Sequence, residues 1–231
     1  MYKYKHFSFD LWMTLIKSNP SFKKQRADFF FIHFNPLKKN IEDVFDIFRF
    51  VDRMCNSINE KTGRNIDADE MYLMVIYQLG GNAAAISEIN TDRLYAQMEQ
   101  LVFENMPVLY SSETVDVLSE IKAQNGNTLS ILSNTAFIKG STLRIVLQHL
   151  QLDHFFDFQL YSDEWGLSKP NSKFFKIMFD QASSLRNEKI EPRQVIHIGD
   201  NEVADIAAAN AFGMNSFLIN LNNKLLTDFL K

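Results

Sequence analysis

The stretch VIHIGDNEVAD, residues 195–205, decides how the rest of the chain is read. Val195, Ile196, His197 and Ile198 form a short, mostly apolar run that the polar pair Gly199-Asp200 ends at once. A run of this kind, bounded by turn residues, reads as a strand buried on both faces. A carboxylate therefore emerges at the carboxyl end of a buried strand. A second, Asp205, follows five residues later in a helix rich in small residues that Gly213 closes.

The same texture extends in both directions. Downstream, Ser216 to Ile219 reads as a further strand. Upstream, a helix beginning near Asn171 carries Phe174, Phe175, Ile177 and Met178, and a short strand lies around Phe158 to Tyr161. Before that come a helix near Gly140 to Leu150, the strand Leu129 to Leu132, the turn Asn125-Gly126 and a helix from Glu113 to Gln124. At the amino terminus, Tyr4 to Leu11 reads as a strand ending in a polar loop. Short buried strands alternating with helices imply an α/β fold with a doubly wound, Rossmann-like parallel sheet covered on both faces.

Between Pro20 and Met106 the pattern changes. Ile41, Val44, Phe45, Phe48 and Val51 recur at helical spacing, as do Met71, Met74, Val75 and Leu79, while Gly63 and Gly80-Gly81 punctuate the stretch. Four or so helices with no strand are expected there. The simplest organisation is a core made of residues 1–16 and 108–231, interrupted by an inserted all-helical cap domain at 17–107.

Composition narrows the function. The chain has 231 residues, 46% apolar and 23% charged, ordinary for a soluble globular protein. Its net charge of -4 and the lack of a Lys/Arg run argue against nucleic-acid binding. A single cysteine, Cys55, excludes an internal disulfide framework and a Cys-rich metal site, and reads as a small buried residue of a cap helix. Met1 to His6 is basic, but Asp10 interrupts the apolar stretch that follows, so neither a signal peptide nor a membrane span is expected. Together these features predict a cytoplasmic protein with no nucleic-acid or membrane partner.

In an open parallel sheet, ligands bind beyond the carboxyl ends of the strands, where the strand order switches. The residues delivered there are Asp10 with Thr14 four positions on, Ser133-Asn134, Lys169 before Pro170, and Asp200 with Asp205. Two carboxylates can share a Mg²⁺, and one of them can act as a nucleophile. A hydroxyl and an ammonium can hold the oxygens of a transferring phosphoryl group.

The four segments Asp10 to Thr14, Leu132 to Asn134, Ser168 to Pro170 and Gly199 to Asp205 resemble the four ordered motifs of the haloacid dehalogenase-like (HAD) superfamily. The helical insert resembles that superfamily's C1-type cap. The resemblance implies a hydrolase, with Asp10 as nucleophile and metal ligand and Thr14 orienting its loop. It implies further that Ser133, Asn134 and Lys169 form the phosphate site with the Trp12 side chain beside the substrate, and that the main-chain carbonyl of Trp12, with Asp200 and Asp205, completes a Mg²⁺ site. A phosphorylated small molecule is the expected substrate.

One position departs from that pattern. The superfamily's phosphatases carry a second aspartate two residues after the nucleophile, as the acid and base for the leaving alcohol; here it is Trp12, and the usual next glycine is Met13. Indole cannot take that role. Two alternatives follow: a metal-independent 2-haloacid dehalogenase-like hydrolase, which resembles this chain in its aromatic residue at that position, or a catalytically impaired phosphate-binding protein. Dehalogenases of this type also need a cap arginine, and Arg26 is the nearest in sequence. Lys23, Lys24 and Arg26 nevertheless read as the solvated face of an amphipathic helix, and His197 as a core residue too far back along its strand to face the site.

Overall fold

The computed structural model describes residues 4–124, 126–186, 188–219 and 226–230. Asn125, half of the expected Asn125-Gly126 turn, lies outside the described residues, as do Met1 to Lys3 of the basic start. The strand that opens the chain is β1 (His6–Phe9). It pairs in parallel with β4 (Thr128–Ser133) on one side and β6 (Val195–Gly199) on the other. Beyond β4 lies β5 (Phe158–Tyr161) and beyond β6 lies β7 (Asn215–Leu218), giving the parallel order β5-β4-β1-β6-β7. The chain winds outward through β4 and β5, then returns across β1 to β6 and β7. The switch therefore falls at β1, the strand that delivers Asp10.

Strand alternation separates the two faces of this sheet. Phe7 and Phe9 align with Leu129 and Ile131 on β4 and with Ile196 and Ile198 on β6, and all six belong to one apolar cluster. The opposite face carries the hydrogen-bonding residues. His6 bonds Thr128 Oγ1 (2.8 Å) and Ser130 Oγ (2.9 Å), and Ser8 bonds His197 Nδ1 (2.9 Å). Burial pushes the His6 imidazole down to about 3, so it is neutral at physiological pH. Each polar side chain in this interior has a partner, as burial demands.

Helices α6 (Thr114–Ala123), α7 (Gly140–His149), α8 (Ser162–Trp165), α9 (Ser172–Ser184) and α10 (Ala208–Phe212) connect and cover the strands. The segment of small residues after β6 begins as a π-helical turn, Glu202–Ala207, before becoming α10, and Gly213 ends it in the left-handed conformation (φ 90°). At Gly140 the chain passes so close to the buried Tyr161 that an added Cβ would sit 2.5 Å from the Tyr161 Cβ.

Residues 20–104 form the helical block: α1 (Pro20–His33), α2 (Ile41–Thr62), α3 (Ala68–Gln78), the short α4 (Ala83–Ser87) and α5 (Thr91–Glu104). Local signals place their ends. Asn40 and Asp43 form a capping box at the start of α2, and Gly63 closes it with φ 67°. A ribbon too short to show in the sequence joins the block's two ends, with β2 (Ile16–Lys17) antiparallel to β3 (Val108–Leu109). The block has its own apolar cluster, built on Phe30, Phe48, Val51, Cys55, Met71 and Tyr72, and Phe137 from the loop after β4 inserts into it. No helix among the described residues is long and apolar enough to cross a membrane.

Gly140→Ala is expected to lower stability by about 1–3 kcal/mol through overpacking against Tyr161. Urea denaturation followed by circular dichroism measures it, and an unchanged midpoint would contradict the packing described.

Candidate active site

Asp10 leaves β1 with its amide N–H donating to the Ile198 carbonyl (2.8 Å), which fixes the turn that follows. Its carboxylate is buried, with the residue only 6% exposed. Lys169 Nζ reaches Asp10 Oδ1 at 2.7 Å and Asp205 Oδ1 at 2.5 Å, so one buried ammonium bridges two carboxylates. The Thr14 hydroxyl donates to Asp10 Oδ2 (3.3 Å) and the Ser133 hydroxyl to Asp10 Oδ1 (3.4 Å). Asp200 is half-buried nearby, and Asp10, Asp200 and Asp205 can each offer a ligand oxygen with all three atoms within 4.8 Å of one another. The structure thus brings together Asp10, Thr14, Ser133, Lys169, Asp200 and Asp205, and puts Trp12 and Asn134 on the wall of the same cavity.

Asn134 has a specific task. Its Nδ2 donates to the Lys169 carbonyl (3.0 Å) and its Oδ1 accepts from the Lys169 N–H (2.7 Å), so the side chain clamps the main chain that presents the ammonium. Both amide atoms are thereby engaged with protein. Met13, where the resembling family has glycine, takes φ 58°. That left-handed conformation costs a side-chain-bearing residue roughly 1–2 kcal/mol.

Two expectations are corrected here. His197 does reach the site: its Nε2 lies 3.0 Å from Asp205 Oδ1. Residues 197 and 199 share a face of β6, and the π-helical turn folds Asp205 back beneath that face. Gly199 allows the approach, since a Cβ there would fall 2.3 Å from the Asp205 carboxylate. Asp205 Oδ2 also accepts from the Asn201 N–H (3.0 Å). Arg26, for its part, is not on a solvated face. It is buried among Phe22, Phe48 and Phe137, while Lys23 and Lys24 are exposed.

The electrostatics follow from crowding. Burial drives the Asp10 carboxyl up to about 7; Lys169 pulls it down, and Asp205 and Asp200 push it up again. Burial opposes ionisation of Asp205 as well, but Lys169 and His197 outweigh it and hold that carboxyl well below the usual range. Burial likewise works against the charge of Lys169, and the two carboxylates it touches more than compensate, raising its pKa. Asp200 is raised by burial and by Asp205. Three carboxylates against one ammonium leave net negative charge in a partly dry space. This all-oxygen, hard donor set fits a divalent cation such as Mg²⁺.

The cavity holding these groups has a volume of about 850 Å³ and runs between the core and the helical block. Its far wall is one face of α2, with Phe45, Phe48, Asp52, Asn56 and Glu60 at helical spacing. Glu60 Oε1 accepts from Asn201 Nδ2 (3.0 Å), joining the block to the loop after β6. None of these residues of the helical block carries a motif. Arg26 alone left a usable signal, because Phe22 and Phe30 flank it at four-residue spacing and predict an inward face.

A family model described as haloacid dehalogenase-like hydrolase matches residues 9–219. Among curated proteins, the chain is 28% identical over 117 residues to an uncharacterised hydrolase of Schizosaccharomyces pombe, covering 51% of this chain and 48% of that protein. It is 34% identical over 104 residues to haloacid dehalogenase-like hydrolase domain-containing protein 3 of Homo sapiens (45% of this chain, 37% of the relative). With a glyceraldehyde 3-phosphate phosphatase of Methanothermobacter thermautotrophicus it shares 32% over 107 residues (46% and 43%). The chain thus matches less than half the length of each of these relatives. In fold it resembles a magnesium-bound HAD hydrolase of Bacillus subtilis, with a TM-score of 0.74, 17% identity and coverage of 98% and 97%. It also resembles the L-2-haloacid dehalogenase of Xanthobacter autotrophicus, with a TM-score of 0.60, 18% identity and coverage of 94% and 77%.

Because the Asp10 pKa is raised on folding, this group's contribution to the stability of the ion-free protein falls as pH rises from about 4 through about 7, while the lowered pKa of His6 works in the opposite sense. A cation competes with that proton, so its effect is expected to be full at about pH 8 and to fade below about pH 6. Mg²⁺ at a hundredfold excess over its Kd contributes about 2.7 kcal/mol, an increase in Tm of roughly 5–10 °C. Thermal denaturation checks this. An absent shift, or one undiminished in Asp200→Asn, contradicts a metal site there.

Proposed function

This chain belongs to the haloacid dehalogenase-like hydrolase family, and we propose that it is a Mg²⁺-dependent phosphatase acting on a small phosphorylated metabolite through an aspartyl-phosphate on Asp10. The observation that carries the reading is the convergence of Asp10, Asp200 and Asp205 within 4.8 Å. Displacement of halide by Asp10 alone has no use for Asp200, whereas phosphoryl chemistry beside a cation does. The phosphatase name of the archaeal relative and the magnesium of the Bacillus subtilis structure support the same choice.

In this reading an Asp10 oxygen attacks phosphorus, the ester P–O bond breaks, and the leaving oxygen departs toward the cap side of the cavity. Water then attacks the phosphorus of the aspartyl-phosphate, releasing inorganic phosphate and restoring the carboxylate. Thr14 holds Asp10 in line. Lys169, kept charged by Asp10 and Asp205, and Ser133 bind the non-bridging oxygens, where charge must be stabilised. Asp10, Asp200 and the Trp12 carbonyl, backed by Asp205, would hold the Mg²⁺, which when bound supplies Lewis-acid polarisation of a phosphoryl oxygen. His197 and Asn201 hold Asp205, and Asn134 holds Lys169.

Trp12 supplies no proton to the leaving oxygen. Among the described residues of the cavity wall, Asp52 and Glu60 on α2 are the cap carboxylates available for it. General acid–base help contributes about 10²–10⁴-fold, so esters of acidic alcohols are the substrates least affected by the substitution. We place the core at 1–16 and 108–231, and read 17–107 as a C1-type cap that excludes water over the site. The partner is a small molecule in the cytoplasm, not nucleic acid or a membrane.

Arg26 on the cavity wall favours one second reading, the metal-independent 2-haloacid dehalogenase, together with aromatic Trp12. The two readings part on one assay. Hydrolysis of p-nitrophenyl phosphate is expected to require Mg²⁺ and to fall by roughly 10³-fold or more in Asp10→Asn. Halide release from 2-chloropropionate in the presence of EDTA would overturn the phosphatase reading. Neither activity, with a phosphate mimic still bound, would leave a phosphate-binding protein.

A further inference from the structure

Arg26 is buried, 8% exposed, yet it lines the active-site cavity from α1. Its guanidinium carbon lies 4.1 Å from the Phe48 ring centroid, 4.5 Å from that of Phe137 and 5.1 Å from that of Phe22. The Tyr72 hydroxyl, which donates to the Phe137 carbonyl (3.0 Å), is within its hydrogen-bonding reach. Arg26 Nε is buried and has no hydrogen-bond partner. Among the described residues no carboxylate forms an ion pair with it, and Asp52 acts on it only through space.

A buried guanidinium without an anion is unfavourable. Aromatic faces attract the guanidinium, but they satisfy no N–H donor, and an unmade hydrogen bond of a buried charged group is costly. The rings instead fix the plane of the fork, which suits a planar or tetrahedral anion held by two parallel donors. The surrounding field agrees. Lys17, Lys23 and Arg49 also line the cavity, with Asp52 and Glu60 as the carboxylates of α2 on its wall. The phosphoryl group undergoing transfer has its own cation in Lys169, so it has no need of Arg26.

We propose that Arg26 binds a second anionic group of the substrate, so that the phosphoester accepted here carries a carboxylate or a further phosphate on its leaving group. This rests on the phosphatase reading and adds the substrate class to it. Arg26 then selects for that class, and Phe22, Phe48 and Phe137 keep its fork in place and dry.

The test is a graded series of phosphorylated ω-hydroxy carboxylic acids, each paired with the alkyl phosphate of the same length. At the length that spans Asp10 to Arg26, the carboxylate is expected to raise kcat/KM by roughly tenfold or more. Arg26→Gln should remove that preference through KM and leave the alkyl phosphates unchanged, which also shows that the variant is folded. Arg26→Lys, which keeps the charge without the fork, should recover part of it. A preference absent at every length, retained in Arg26→Gln, or lost together with alkyl phosphate hydrolysis overturns the proposal. If no phosphoester is hydrolysed at all, the phosphatase reading fails separately. Calorimetry of the same pairs on Asp10→Asn, with and without Arg26→Gln, then decides for Arg26: tighter binding of the carboxylated member that depends on Arg26 supports it, and equal binding rejects it.

Discussion

Lys169 carries one positive charge, 1% exposed, into a space it shares with Asp10 and Asp205 while Asp200 stands at the edge. Removing any of these charges from water costs several kcal/mol, so the arrangement persists only because each group is held by others. Asn134 fixes the Lys169 main chain with two hydrogen bonds, His197 and the Asn201 amide hold Asp205, and Thr14 and Ser133 hold Asp10. The order of the strands makes this convergence possible. β1 lies between β4 and β6, so Asp10, Ser133 and Asp200 all leave neighbouring strand ends. Crowding that burdens stability also suits the proposed roles: Asp10 as nucleophile, Lys169 as a cation for a phosphoryl group, and the three carboxylates as an oxygen-lined place for a metal.

The helical block is fastened to this site at several points. The Gly63 carbonyl accepts from the Ser168 N–H (3.1 Å) and from Asn171 Nδ2 (2.9 Å), on either side of Lys169. Asn65 Oδ1 accepts from the Ser162 hydroxyl (2.6 Å), Lys139 pairs with Asp69 (2.8 Å), and Glu60 meets Asn201. Phe137, two residues past Thr135, packs among cap side chains although it belongs to the loop after β4. On the proposed function, substrate selection falls to groups on both sides of the cavity, and any opening of the block must break these contacts together.

Much of the core was legible in the sequence because each signal was local. The runs at 129–132 and 195–198 became β4 and β6, the Gly213 stop ended α10, and the polar residues after each strand met as their positions required. Four ordered motifs carried the rest. What escaped notice depended on packing at a distance. The Ile16–Lys17 and Val108–Leu109 ribbon has two residues per strand, too few for any periodicity. Arg26 was hidden by its basic neighbours Lys23 and Lys24, although Phe22 and Phe30 mark its face. His197 seemed distant because strand position says nothing about a helix folded back beneath Gly199. Asn134 looked like a phosphate ligand, and its engagement with Lys169 appears only once the two loops are in place.

In the proposed mechanism Asp10 attacks phosphorus. Rapid acid quench of a single turnover of p-nitrophenyl phosphate with Mg²⁺, followed by mass spectrometry of the peptide bearing Asp10, tests it directly. A transient phosphoryl adduct is expected on that carboxylate, absent in Asp10→Asn. Turnover that proceeds with no adduct at Asp10, or with the adduct on another side chain, would contradict it.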